Sequence, residues 1–315
     1  MADVENIGDL MAAFTEHYRA AQYAQALEVL DREGARFPAY VALITTWRAT
    51  MCARTGDTAS ALSLLEQMIG GGGWIDENAM RGDSDFAALH DSPDFQALAE
   101  RSQENRLKDV ARTALVTQVM EPRGRPAPWP LLIPMHGHMG NLIEFAPYWQ
   151  IAPALGWLVT IPQSTQHSWL GGFYVWDDIA AAMAEIEPRY QSFASQYPVD
   201  RDRVVLAGYS GGGNAALHVA LSEGVKARGY IGIEPWIADF DILSAWLDEN
   251  SNPGLRVYLF AGQNPDFVDQ ANRLQAVLSE AGIACEIEST PVKHHGFPAD
   301  FDERLRRALD FVTVE

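Results

Sequence analysis

Val204-Val205-Leu206-Ala207-Gly208-Tyr209-Ser210-Gly211-Gly212-Gly213-Asn214-Ala215-Ala216-Leu217 is an apolar run that breaks at a serine and resumes in small residues. The order predicts a buried strand, a sharp turn carrying Ser210, and a helix. Gly208 and Gly212 stand two positions either side of the serine, where the backbones of a strand-to-helix turn crowd and a side chain would obstruct. The hydroxyl then stands above the end of a sheet. The helix that follows directs its N-terminal amides at whatever binds there.

The rest of the chain is ordinary for a folded protein. It has 315 residues, 48% hydrophobic and 21% charged, so disorder is not the default reading. A net charge of -19 argues against nucleic acid or an anionic membrane surface as a partner. No apolar stretch approaches the length of a membrane span, and Met1-Ala2-Asp3-Val4-Glu5-Asn6 lacks the basic-then-apolar order of a signal peptide. The expectation is a cytoplasmic protein. Cys52 and Cys285 are the only cysteines, too far apart in sequence for a disulfide framework or a thiolate metal site, and both are expected as buried thiols.

Residues 1–105 are helical in pattern and residues 106–315 alternate short β-branched runs with helical ones. The predicted fold is therefore an α/β, doubly wound, mostly parallel sheet preceded by an all-α domain. Strands are expected at 114–120, 131–135, 157–161, 204–207, 229–233, 257–260 and 285–289. Helices are expected after Gly140, Trp176, Gly211, Asp241, Phe267 and Ala299. In the first domain, the segments from Gln22 to Leu30 and Asp57 to Leu65 recur near the ~34-residue period of tetratricopeptide helix pairs, with Pro38 and Gly56 as breaks. This segment resembles such repeats over about two units. It reads either as a docking surface for a protein partner or a second copy, or as a helical cap.

A serine hydroxyl is a weak nucleophile until a base takes its proton and a carboxylate orients that base. Gly262-Gln263-Asn264-Pro265-Asp266 follows one expected strand, and Lys293-His294-His295-Gly296-Phe297-Pro298 follows the next. The order serine, acid, histidine suits a doubly wound hydrolase sheet, so Asp266 is expected to orient His295. His294 competes with His295, and Asp269 and Glu234 compete with Asp266. Donors for a developing oxyanion are expected from the amides of Gly211 and His138, the latter in the glycine-interrupted loop His136-Gly137-His138-Met139-Gly140. A metal site on His136 and His138 lacks a third ligand nearby, and Gly208–Gly213 lacks the dinucleotide fingerprint. Neither a metal nor another cofactor is expected.

With these residues together, the segment from about Arg112 onward resembles the α/β-hydrolase superfamily, nearest its small carboxylesterase, thioesterase and dienelactone-hydrolase-like members. The motifs that carry the likeness are His136-Gly137-x-x-Gly140-Asn141, Gly208-Tyr209-Ser210-Gly211-Gly212, Gly262 with Asp266, and His295-Gly296-Phe297-Pro298. The resemblance implies a Ser210, Asp266, His295 triad and cleavage of a small ester or thioester through an acyl-enzyme. Aromatic residues near the expected strand ends, Trp169, Trp176 and Trp236, are candidates for the pocket wall. Two other readings stay open: a peptidase of related fold, and a catalytically silent interaction protein acting through its helices.

Overall fold

The computed structural model describes residues 4–250, 252 and 254–314. The chain forms two compact units. The first takes in the chain up to Ala114 together with His167–Phe173; the second comprises Leu115–Gln166 and the chain from Tyr174.

The first unit is built on α1 (Ile7–Arg19), α2 (Tyr23–Glu33), α3 (Val41–Arg54), α4 (Thr58–Gly70), α5 (Glu77–Gly82) and α6 (Pro93–Val110). Helix α1 starts on a capping box, the Asn6 side chain accepting from the Asp9 amide while the Asp9 carboxylate accepts from the Asn6 amide. Asp57 caps α4 through the Ser60 amide. α1 packs on α2, α2 on α3 and α3 on α4. Ala26 and Ala61, the small residues expected where helices approach closely, are fully buried. The boundary expected at residue 105 falls inside α6, which continues to Val110 because no Gly or Pro follows Pro93 in it to break the helix.

The second unit holds a seven-stranded sheet. Its strands are β1 (Thr117–Met120), β2 (Trp129–Met135), β3 (Leu158–Pro162), β6 (Val199–Tyr209), β7 (Gly229–Ile233), β8 (Arg256–Ala261) and β9 (Ala284–Ser289); β4 (Gln166–His167) and β5 (Tyr174–Val175) are two-residue strands outside it. The order is β1-β3-β2-β6-β7-β8-β9, with only β1 antiparallel to its neighbour. Successive strand residues serve opposite faces. Leu131, Ile133, Val204, Leu206, Val257 and Leu259 join one core with α8 (Ile179–Gln196), α9 (Gly211–Leu221), α10 (Phe240–Glu249) and α11 (Pro265–Glu280). Leu132, Val205, Ala207, Tyr258 and Phe260 join the other with α12 (Phe301–Thr313). Burial on both faces explains why these strands read as unbroken apolar runs. A short α7 (Leu142–Phe145) follows β2.

Candidate active site

Ser210 sits between β6, which ends at Tyr209, and α9, which begins at Gly211. Its backbone is held at φ 54° and ψ -126°, a region that side chains rarely occupy. Three bonds hold it there: the Ser210 amide donates to Ile233 O at 3.1 Å, and its carbonyl accepts from the amides of Gly213 at 2.9 Å and Trp236 at 3.0 Å. A Cβ on Gly212 would collide with the carbonyl oxygen of His136, and one on Gly208 with that of Gly212. The glycine spacing read from the sequence therefore has a steric cause.

His295 meets Glu234, not Asp266. Its Nδ1 lies 2.8 Å from Glu234 Oε2, and the same oxygen accepts the Gly296 amide at 2.8 Å. A carboxylate oxygen accepts here, so Nδ1 carries a proton, and in the neutral imidazole Nε2 keeps the lone pair. Nε2 is buried and has no hydrogen-bond partner among the described residues.

Strand pairing explains why Glu234 is the neighbour. Tyr209 of β6 is in register with Ile233 of β7, so Ser210 and Glu234 leave adjacent strands at one level. Glu234 is 1% exposed and has φ 42°; its amide donates to Phe260 O at 2.9 Å. Its other oxygen packs over Gly262, where a Cβ would collide with it.

Asp266, expected in this place, is exposed in the first turn of α11 beyond β8. There its amide is capped by Asn264 Oδ1 at 3.0 Å, and its charge suits the helix N-terminus. His294 is exposed as well.

Two rings clamp His295. Phe267 stacks on one side with centroids 4.0 Å apart and planes 5° apart, and Tyr209 on the other at 4.6 Å and 25°. Neither ring was singled out from the sequence, although Phe267 adjoins the acid that was.

The loop after β2 runs beside the serine. A Cβ on Gly137 would lie 3.5 Å from Ser210 Cβ, and one on Gly211 would lie 3.8 Å from the His138 amide nitrogen. The two expected oxyanion donors thus come from neighbouring backbones. His138 itself is exposed, with Nδ1 3.2 Å from Asp177 Oδ1. His136 is fully buried, and burial pushes its imidazole down to about 4. Nδ1–H donates to Gly137 O at 2.9 Å, and Nε2 accepts from the Ser164 amide at 3.2 Å and from Gln163 Nε2 at 2.9 Å. With both nitrogens engaged, His136 ties the ends of β2 and β3 together.

Burial also pushes the Glu144 carboxyl up to about 7. Tyr209 is held well above the usual phenol range by burial first, then by the Glu234 and Glu144 charges.

The three tryptophans part company. Trp236 is 43% exposed and stands edge-on to Phe267 at 5.7 Å. Trp176 is core rather than pocket wall: it is 2% exposed and packs on His136 at 5.2 Å, because an indole at the end of the β2–β3 layer gains more from burial than from facing water. Trp169 is grouped with the first unit, where its carbonyl accepts the Asp76 amide at 2.7 Å.

The strand order, the level strand ends and the strained serine turn define the α/β-hydrolase fold for the second unit. Residues 7–110 match the family of A/B hydrolase-like N-terminal domains. An uncharacterized protein from Bacillus cereus ATCC 10987 is similar over 97% of this chain and 98% of its own, at 21% identity and a TM-score of 0.54. A carboxylesterase from Mesorhizobium loti is similar over 63% of this chain and 96% of its own, at 15% identity and a TM-score of 0.51. No curated protein matches the chain. Among the described residues, no helix is long and apolar enough to cross a membrane, and no group of three or more His, Cys, Asp or Glu side chains could hold a metal ion.

Proposed function

We propose that the protein is a serine hydrolase that cleaves a small carboxylic ester or thioester through an acyl-enzyme on Ser210. The observation that carries this reading is the 2.8 Å contact of Glu234 with His295 Nδ1, on the strand beside the strained turn of Ser210. Ser210 Oγ attacks the carbonyl carbon and gives its proton to His295 Nε2. Glu234 keeps Nδ1 protonated and offsets the charge on the imidazolium. The amides of His138 and Gly211 donate to the oxyanion, each worth about 3 kcal/mol in the transition state. The carbon–oxygen or carbon–sulfur bond then breaks, and His295 returns the proton to the departing atom. Water, deprotonated by His295, attacks the acyl-enzyme, and the proton goes back to Ser210 as the acid leaves.

Hydrolysis of p-nitrophenyl acetate by the wild type, Ser210→Ala and His295→Ala, with a fluorophosphonate label located by mass spectrometry, tests the proposal. Activity confined to the wild type and a label on Ser210 support it. A folded wild type that neither turns over nor labels overturns it.

A further inference from the structure

Six rings run in one row through the site: Trp236, Phe267, His295, Tyr209, Phe297 and Tyr148. Successive centroids lie 5.7, 4.0, 4.6, 5.1 and 3.9 Å apart. The inner rings spend their faces on one another, while the ends remain open, Trp236 at 43% and Tyr148 at 38% exposure. The ends are not equivalent. Tyr148 lies two rings from His295 and has a face covered by Phe297, with planes 14° apart. Trp236 lies one ring away, meets Phe267 edge-on at 72°, and is bonded through its amide to the Ser210 carbonyl.

The chemistry says what must come to this end of the row. The departing oxygen takes its proton from His295 Nε2, so it must come within about 2.6–3.2 Å of that atom. Whatever the oxygen carries is then placed beside the imidazole, one ring from the exposed indole. Resting on the assignment of Ser210 and His295 above, we propose that Trp236 receives the leaving group, and that the preferred substrates are esters of alcohols bearing a planar aromatic group close to the oxygen. A ring stacked or set edge-on against the indole gains more than a saturated ring of equal size, because the aromatic quadrupoles add to the area buried. That gain corresponds to about three- to tenfold.

Benzyl acetate and cyclohexylmethyl acetate separate this effect from size and from leaving-group basicity, since both release a primary alcohol of similar bulk. Ethyl acetate serves as the measure of ester hydrolysis itself. For the wild type, kcat/KM is expected about three- to tenfold higher for the benzyl than for the cyclohexylmethyl ester. Trp236→Leu is expected to bring this ratio to about one, and Trp236→Phe to restore most of it. Benzyl alcohol is expected to inhibit the wild type more tightly than cyclohexylmethanol by the same factor, a readout that needs no variant to fold. A wild-type ratio near one, or an undiminished ratio in Trp236→Leu, overturns the inference while ethyl acetate turnover leaves the hydrolase assignment standing. A wild type that cleaves none of the three esters and takes no label on Ser210 removes that assignment, and the inference with it.

Discussion

The imidazole of His295 lies flat on the phenyl ring of Phe267, 4.0 Å away and 5° from parallel. The first turn of α11, where an orienting acid is expected from the sequence, therefore supplies a surface instead, and the carboxylate that meets His295 is Glu234, just past the end of β7. With Glu234 fixing one edge of the imidazole and Phe267 and Tyr209 its two faces, the ring has little freedom except in its own plane. On the proposed mechanism Phe267 acts as a positioning residue. Phe267→Leu is expected to lower kcat about tenfold with KM nearly unchanged and to slow fluorophosphonate labelling of Ser210 in proportion, whereas Phe267→Tyr retains both. Equal losses in the Leu and Tyr variants would contradict the stacking role.

The two candidate acids are separated by one pair of substitutions. Glu234→Gln keeps the shape but lets Nδ1 lose its proton to the wrong tautomer, and kcat/KM is expected to fall by about 10³–10⁴-fold. Asp266→Asn, on an exposed helix turn, is expected to stay within about twofold. The reverse result would restore Asp266 to the role expected from the sequence.

Gly262 makes room for Glu234. An added Cβ would collide with Glu234 Oε1, whose carboxylate is held by His295 and the Gly296 amide, and come within 2.8 Å of the backbone oxygen of Val292. Gly262→Ala is expected to cost about a hundredfold in kcat/KM. Added to Glu234→Gln it should cost much less, because both changes disable one element; steady-state rates of the three variants check this.

Strain at Ser210 has a measurable cost. Glycine at φ 54° and ψ -126° is at ease, so Ser210→Gly is expected to raise stability by about 1 kcal/mol while abolishing turnover. Thermal unfolding of the inactive variant is the check, and an unchanged or lower Tm would mean the turn is relaxed.

Glu144 ties stability to pH. Its folded carboxyl is held up to about 7 by burial, against 4.5 unperturbed. Below 4.5 both states are protonated and nothing is lost. Between 4.5 and 7 the unfolded chain releases the proton first, so stability falls as pH rises, by about 3 kcal/mol once pH exceeds 7. Glu144→Gln cannot ionise. Urea unfolding is expected to show the variant gaining on the wild type from pH 5 to pH 8.

Sequence legibility followed how local each determinant is. The serine turn was readable because an apolar strand, the turn glycines and a small-residue helix all lie within fourteen consecutive residues. Every expected sheet strand is present, and the segments from Gln22 to Leu30 and from Asp57 to Leu65 lie on α2 and α4. The carboxylate that meets His295 was not readable to the same degree. Glu234 and Asp266 each follow a strand, and choosing between them requires knowing that β7, not β8, borders β6 and that the two strands end level. Trp176 and Trp236 look alike as letters; only the fold decides which indole is covered and which is open.

The short stretch His167–Phe173 carries a practical lesson about cutting this chain. It belongs with the first unit, where Ile75 bridges Leu170, the Gly171 amide donates to Trp74 O at 2.9 Å, and a Cβ on Gly171 would press on the Trp74 indole at 2.8 Å. A gene fragment ending at Ala114 would thus deliver an unfinished object, its Trp74–Asp76 backbone stripped of the segment that bonds to it. The helical region cannot be swapped as a cassette between relatives unless the donor brings a loop encoded more than fifty residues downstream.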